Sequence, residues 1–193
     1  MAKTYGFGIV GAGMIAHYHA EAIRQLPNAK LVAVCDAHEP AAKAFSEKFS
    51  CAAETDLKTF LKRDDIDVIT VATPSGTHSD IALAAAEYRK HCIVEKPIDI
   101  TLEKIDAAIA AHDKAGTKLG GIFNYRFMPT AKLFKKAADE GRFGRLTFGL
   151  AYGPWWRDQA YYDKGGWRGT WKMDGGGALM NQGIHTIDLL QWI

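Results

Sequence analysis

Residues Phe7-Gly8-Ile9-Val10 run straight into Gly11-Ala12-Gly13-Met14-Ile15-Ala16, a G-x-G-x-x-A turn that opens an amphipathic stretch. A short apolar strand, a glycine turn and a helix in immediate succession restrict the chain to a few parallel-sheet folds. Gly11 permits the tight turn, Gly13 lets the backbone approach a pyrophosphate, and Ala16 keeps the helix against the sheet. The helix start, with Met14 and Ile15, faces the negative charge. The second apolar run ends at Asp36, twenty residues after Ala16, the position expected of a carboxylate that accepts ribose hydroxyls. No Arg or Lys follows until Lys43, so a 2′-phosphate would meet repulsion, and the expected cofactor is NAD rather than NADP.

The pattern continues in the same rhythm. Phe7–Val10, Lys30–Cys35, Val68–Ala72, Cys92–Val94 and Leu119–Phe123 read as strands. Helical periodicity lies between them at Met14–Leu26, Pro40–Phe49, Leu57–Arg63, Ser79–Lys90 and Leu102–Ala115. Such alternation predicts an α/β fold with a doubly wound parallel sheet. Near residue 125 the pattern changes. A helix is expected at Thr130–Asp139, then a turn at 141–144 and an alternating, half-buried antiparallel strand at Arg145–Tyr152. An aromatic stretch and a last helix from about Met180 follow. The expected domains are 1–124, dinucleotide-binding, and 125–193, a partial substrate and oligomerisation domain of α+β type. With one convincing strand, that second sheet reads as incomplete, and the chain as C-terminally truncated.

Composition narrows the function classes. Of the 193 residues 48% are apolar, and the formal charge is +2 with basic residues scattered. Nothing there suggests nucleic acid or an acidic membrane as partner. Cys35, Cys51 and Cys92 form no CxxC pair, so no metal site is expected, and free thiols suit the cytoplasm. Met1 to Val10 reads as a first strand rather than a signal peptide, and no segment approaches transmembrane length.

The candidate chemistry lies at strand ends. Thr73-Pro74-Ser75-Gly76-Thr77-His78 follows a strand at its carboxyl end, where ligands bind in open α/β sheets. His78 either contacts the ligand or merely opens the next helix. Glu95-Lys96-Pro97 ends another strand at the same edge. Lys96 there is a proton acceptor or donor, its ammonium disfavoured by burial and a nicotinamide cation, or else half of a Glu–Lys surface pair. Asn181, His185 and Asp188 are spaced to share one helix face after three glycines, a ligand-facing or a solvent-facing stripe. Trp155, Trp156, Arg157, Tyr161, Tyr162, Trp167, Arg168 and Trp171 suit sugar rings and anionic groups, and equally an oligomer interface.

In one order, the glycine turn, Thr73-Pro74 with His78, Glu95-Lys96-Pro97, Asn124-Tyr125-Arg126-Phe127 with Pro129, Trp167-Arg168, and Gly175-Gly176-Gly177 to His185 resemble the glucose–fructose oxidoreductase/inositol dehydrogenase (Gfo/Idh/MocA) family. The stretch from Trp167 to Trp192 looks closest to its UDP-N-acetylglucosaminuronate 3-dehydrogenase-like branch. The resemblance implies an NAD-dependent oxidoreductase moving hydride between nicotinamide and a hydroxyl carbon of a sugar or nucleotide sugar. It makes Lys96 and His185 the catalytic pair. Cofactor contacts then come from Gly11, Gly13, Met14, Ile15, Ala16, Asp36, Thr73, Pro74, His78, Glu95, Lys96, Trp167 and Arg168. Tyr125, Arg126, Arg157 and Asn181 join Lys96 and His185 toward substrate, with homo-oligomerisation through the C-terminal region. Many relatives carry aspartate at the place of Asn181, which puts an Asp–His dyad in doubt. The rival readings are an NAD-dependent glycosidase and a non-catalytic NAD- or sugar-sensing protein.

Overall fold

The computed structural model describes residues 3–193. They divide into two compact units, Met1–Gly121 and Ile122–Ile193, and each is described by itself.

The first unit is a parallel sheet wrapped by helices. Its strands are β1 (Tyr5–Val10), β2 (Ala29–Cys35), β3 (Ala52–Glu54), β4 (Val68–Val71), β5 (His91–Val94) and β6 (Leu119–Gly121). They lie in the order β3-β2-β1-β4-β5-β6, every neighbouring pair parallel. The helices are α1 (Met14–Arg24), α2 (Glu39–Phe49), α3 (Leu57–Leu61), α4 (His78–Glu87) and α5 (Leu102–Ala115). The doubly wound architecture is as the alternating pattern predicts. The three-residue strand β3 was not anticipated.

Successive strand residues enter opposite layers, as strand geometry requires. Ile9 packs with Ala16, Ala20 and Ile23 of α1 and with Phe45 and Phe49 of α2. The next residue, Val10, joins Phe60, Ile69, Val71, Ala82 and Val94 in the other layer. With both faces covered, the strands read as continuous apolar runs rather than alternating ones. The order of the strands reverses between β1 and β4, and their carboxyl ends form the switch point where nucleotides bind in such sheets.

The second unit is helical among the described residues. It holds a 3-10 turn at Asn124–Phe127, then α6 (Pro129–Asp139), α7 (Gln159–Asp163), α8 (Ala178–Asn181) and α9 (Ile184–Trp192). Two expectations fail here. The antiparallel strand at Arg145–Tyr152 does not form. Its large side chains Leu146, Phe148, Leu150 and Tyr152 are all well exposed, so the apolar face is not covered. A strand gains its hydrogen bonds from a neighbour, and within this unit none pairs with it. The single last helix is instead two. Gly183 interrupts it, its N–H bonded to the Ala178 carbonyl at 2.8 Å. Asn181 and Asp188 are buried rather than part of a solvent-facing stripe.

Candidate functional site

The glycine turn joins β1 to α1 at the switch point. Gly11 has φ +95°, and a Cβ there would stand 2.7 Å from the Ala72 carbonyl oxygen, so the turn abuts the end of β4. Gly13 differs: a Cβ would meet nothing within 4 Å. Open space therefore faces the start of α1, which has no side-chain cap and no acidic residue in its first turn. The Met14 and Ile15 N–H groups of that turn are available to an anion, while that of Ala16 bonds the Gly13 carbonyl at 3.1 Å. Ala16 is fully buried under the turn, while Met14 and Ile15 stay exposed beside it.

Asp36, one residue past β2, reaches back to the turn. One of its oxygens accepts the Ala12 N–H at 2.7 Å and the other the His38 N–H at 2.8 Å. A carboxylate has about four acceptor sites, so two such bonds leave room for ribose hydroxyls. An open cradle, an uncapped helix start and a placed carboxylate fit a dinucleotide without a 2′-phosphate.

Past β4, Thr73 and Thr77 share a hydroxyl–hydroxyl bond at 2.8 Å, and Thr77 also donates to the Pro74 carbonyl. His78 is buried at the start of α4. Its two ring nitrogens lie 2.8 Å from the carbonyl oxygens of Pro97 and Thr73. Of the two roles open to His78, the structure shows the second, since His78 is the first residue of α4 and its buried ring presents no exposed surface to a ligand. The ring ties the loop after β4 to the turn after β5.

That second turn carries Lys96. Glu95 is buried, and one of its oxygens accepts the Lys96 N–H at 3.1 Å. Its other oxygen lies 2.9 Å from Nε2 of His19 on α1. Burial pushes the Glu95 carboxyl up. The His19 hydrogen bond and charge, together with the Lys96 N–H, outweigh that and hold it below the usual carboxylate range. Glu95 thus lies buried rather than at the surface. His19 was not singled out from the sequence, because its partners lie 51 and 76 residues away.

Within the second unit, Tyr125 stacks on His185 with centroids 4.5 Å apart and planes 15° from parallel. Arg126 holds both oxygens of the buried Asp188, through Nε at 2.8 Å and through a second guanidinium nitrogen. Arg126 is thereby committed inside the fold. Asn181 donates to the Asp174 carboxylate at 2.8 Å and accepts from the Tyr161 hydroxyl at 3.3 Å. Asp174, fully buried, also takes the Gly169 N–H. Arg157 and Arg168 both lie over the Tyr161 ring, at 5.1 and 4.9 Å, and Arg168 also over Trp167 at 4.8 Å. Neither arginine makes an ion pair among the described residues, in contrast with Arg126.

Comparison with known proteins agrees with these features. A family profile described as an oxidoreductase family with an NAD-binding Rossmann fold matches residues 5–122, and the GFO/IDH/MocA C-terminal domain matches residues 132–193. The chain belongs to the Gfo/Idh/MocA family. Its first unit is the NAD-binding Rossmann domain of that family.

Inositol 2-dehydrogenase of Rhizobium meliloti is 36% identical over 143 residues, covering 74% of this chain and 43% of the relative. Levoglucosan dehydrogenase of Pseudarthrobacter phenanthrenivorans is 31% identical over 203 residues, covering 99% and 51%. Among solved structures, the WlbA dehydrogenase of Bordetella pertussis, solved with NADH and UDP-GlcNAcA, superposes with a TM-score of 0.96 at 37% identity. It covers 100% of this chain and 56% of that one. The chain spans about half the length of the relatives it matches. No helix among the described residues is long and apolar enough to cross a membrane.

Proposed function

We propose that the chain carries the cofactor-binding and proton-transfer residues of an NAD-dependent dehydrogenase acting on a hydroxyl carbon of a sugar or nucleotide sugar. The supporting observation is the Glu95-Lys96-Pro97 turn. It presents a lysine at the carboxyl edge of an NAD-binding sheet, with its backbone held by a buried carboxylate. The likeness to a dehydrogenase solved with NADH and UDP-GlcNAcA supports the substrate class.

When bound, the nicotinamide supplies the hydride acceptor. Gly11 to Ala16 and Asp36 hold the dinucleotide, with Thr73, Pro74, Trp167 and Arg168 completing the set, while the buried His78 and Glu95 brace the turns at that edge. Lys96 takes the hydroxyl proton. His185, kept in plane by Tyr125, is the second proton-transfer group, and Asn181, held by Asp174 and Tyr161, lines the substrate side without adding charge. Arg157 and Arg168, sharing one aromatic ring, are better placed than Arg126 to meet a phosphate or carboxylate. A second copy of the chain covers the exposed apolar stretch at 146–156, which light scattering tests.

The test is to incubate the chain with NAD and a panel of inositols, hexoses and UDP-sugars while following nicotinamide reduction. Turnover of one class, lost in Lys96→Met with NADH affinity retained, supports the reading. Undiminished turnover in that variant moves proton transfer to His185. Turnover by this chain alone is expected to be very weak or absent, so tight NADH binding with no oxidation of any member overturns the reading only when a chimera completed with the C-terminal remainder of the levoglucosan dehydrogenase is equally inactive.

A further inference from the structure

His19 lies on α1 beside the stripe Ala16, Ala20 and Ile23 that packs on the sheet. On β4, Ile69 and Val71 point into the opposite layer, so Thr70 between them points toward α1. The same alternation carries Glu95, next after Val94, to the face that Thr70 occupies. One imidazole meets both. Its Nδ1 contacts the Thr70 hydroxyl, and its Nε2 lies 2.9 Å from Glu95 Oε1. The two side chains of the His19–Glu95 pair are only 10% and 12% exposed.

We propose that His19 is a positioning residue for Lys96, joining the helix that opens at the glycine turn to the peptide that carries the amine. The linkage runs through Glu95, which takes His19 on one oxygen and the Lys96 N–H on the other. A carboxylate with both oxygens engaged in a nearly dry layer has one low-energy orientation, and the peptide bonded to it shares that orientation. Groups that act on substrate are held to useful precision by such supporting contacts. His78 anchors the far side of the same turn through the Pro97 carbonyl, so His19 acts on its near side. The inference rests on the reading of Lys96 as a proton-transfer group.

Two substitutions separate the contacts of the ring. The side-chain amide of Gln reaches about as far as Nε2 of His, whereas that of Asn reaches about as far as Nδ1. His19→Gln therefore keeps a donor for Glu95, and His19→Asn keeps at most the Thr70 contact. The readout is the rate at which acetic anhydride acetylates Lys96, measured by mass spectrometry on the 193-residue chain relative to exposed Lys62. A change of half a unit in the affinity of the amine for its proton alters the reactive fraction about threefold. We expect His19→Asn to change the Lys96/Lys62 ratio by about threefold or more, and His19→Gln to stay within about twofold of the parent. An unchanged ratio in a folded, NADH-binding His19→Asn chain overturns the proposal, as does an equal change in both variants. If His19→Asn fails to fold, His19→Ser decides by the same ratio, since it removes both ring contacts and leaves Glu95 charged; a ratio equal to the parent's overturns the proposal. Acetylation reads the surroundings of the amine whether or not it moves protons. Retained turnover in Lys96→Met would therefore defeat the catalytic reading and leave this one standing.

Discussion

Asp36 accepts the backbone N–H of Ala12 at 2.7 Å, so the carboxylate expected at the ribose is braced by the glycine turn itself. A charge held in that way cannot swing aside to admit a 2′-phosphate. NADH should bind roughly tenfold or more tightly than NADPH, the gap coming from repulsion rather than extra contacts. Asp36→Asn should narrow the gap and keep an oxygen for Ala12. Asp36→Ala should narrow it and weaken NADH as well, because the turn loses its brace. Calorimetric titration of both nucleotides decides, and equal affinities in the parent chain would refute the assignment.

The Arg126–Asp188 pair is asymmetric, with the arginine side chain 34% exposed and the aspartate 7%. Removing the arginine strands a buried carboxylate. Removing the carboxylate leaves a guanidinium that water can reach. Arg126→Ala should therefore cost about 2 kcal/mol, reduced from the fully buried range by that exposure, and Asp188→Asn about 1 kcal/mol. Urea denaturation of the two variants measures the order, and the reverse order would mean that solvent reaches Asp188 more freely than its burial indicates.

Asn181 donates to Asp174 at 2.8 Å in a buried setting, so Asn181→Asp would oppose two carboxylates. Like charges sharing such a site raise the pKa of one of them. A carboxyl raised on folding favours the folded state at low pH and loses that advantage as pH climbs from its unfolded value, about 4, through the raised one. The variant should thus be close to the parent in stability near pH 4 and fall behind it toward neutrality. Denaturant midpoints across pH test this, and a deficit independent of pH would show that the lost amide donor, not the charge, is responsible.

Burial pushes the Cys35 and Cys92 thiols up to about 12, whereas Cys51 is raised by burial but half-exposed. At pH 8 a thiol of pKa 12 is thiolate to about one part in ten thousand. A disulfide reagent should modify Cys51 alone in the native chain and all three cysteines after denaturation. Native modification of all three would mean that the sheet layers open readily.

Much of the first unit was legible in advance. Apolar runs such as Val68–Val71, followed by amphipathic stretches of helical period, specify both strand and partner because each strand is buried on two faces. Ala52–Glu54 was missed because three residues without a large apolar side chain carry no periodicity. Arg145–Tyr152 misled for the opposite reason: alternation records a strand's preference, and a ladder needs a neighbour. Of the candidate site, the glycine turn and Asp36 announced themselves by spacing. His19 and Asp174 did not, since their roles depend on Glu95 and Asn181, which only folding brings to them.

Gly11 and Gly13 answer to different demands, although the motif treats them alike. A side chain at Gly11 would collide with the end of β4, so the fold itself forbids it. A side chain at Gly13 would enter open space and offend only a bound dinucleotide. Alleles altered at Gly13 would yield a folded, stable protein that no longer holds its cofactor. Alleles altered at Gly11 would be lost to misfolding. A lineage that abandoned redox chemistry and kept the scaffold for another use would stay constrained at the first glycine and drift at the second.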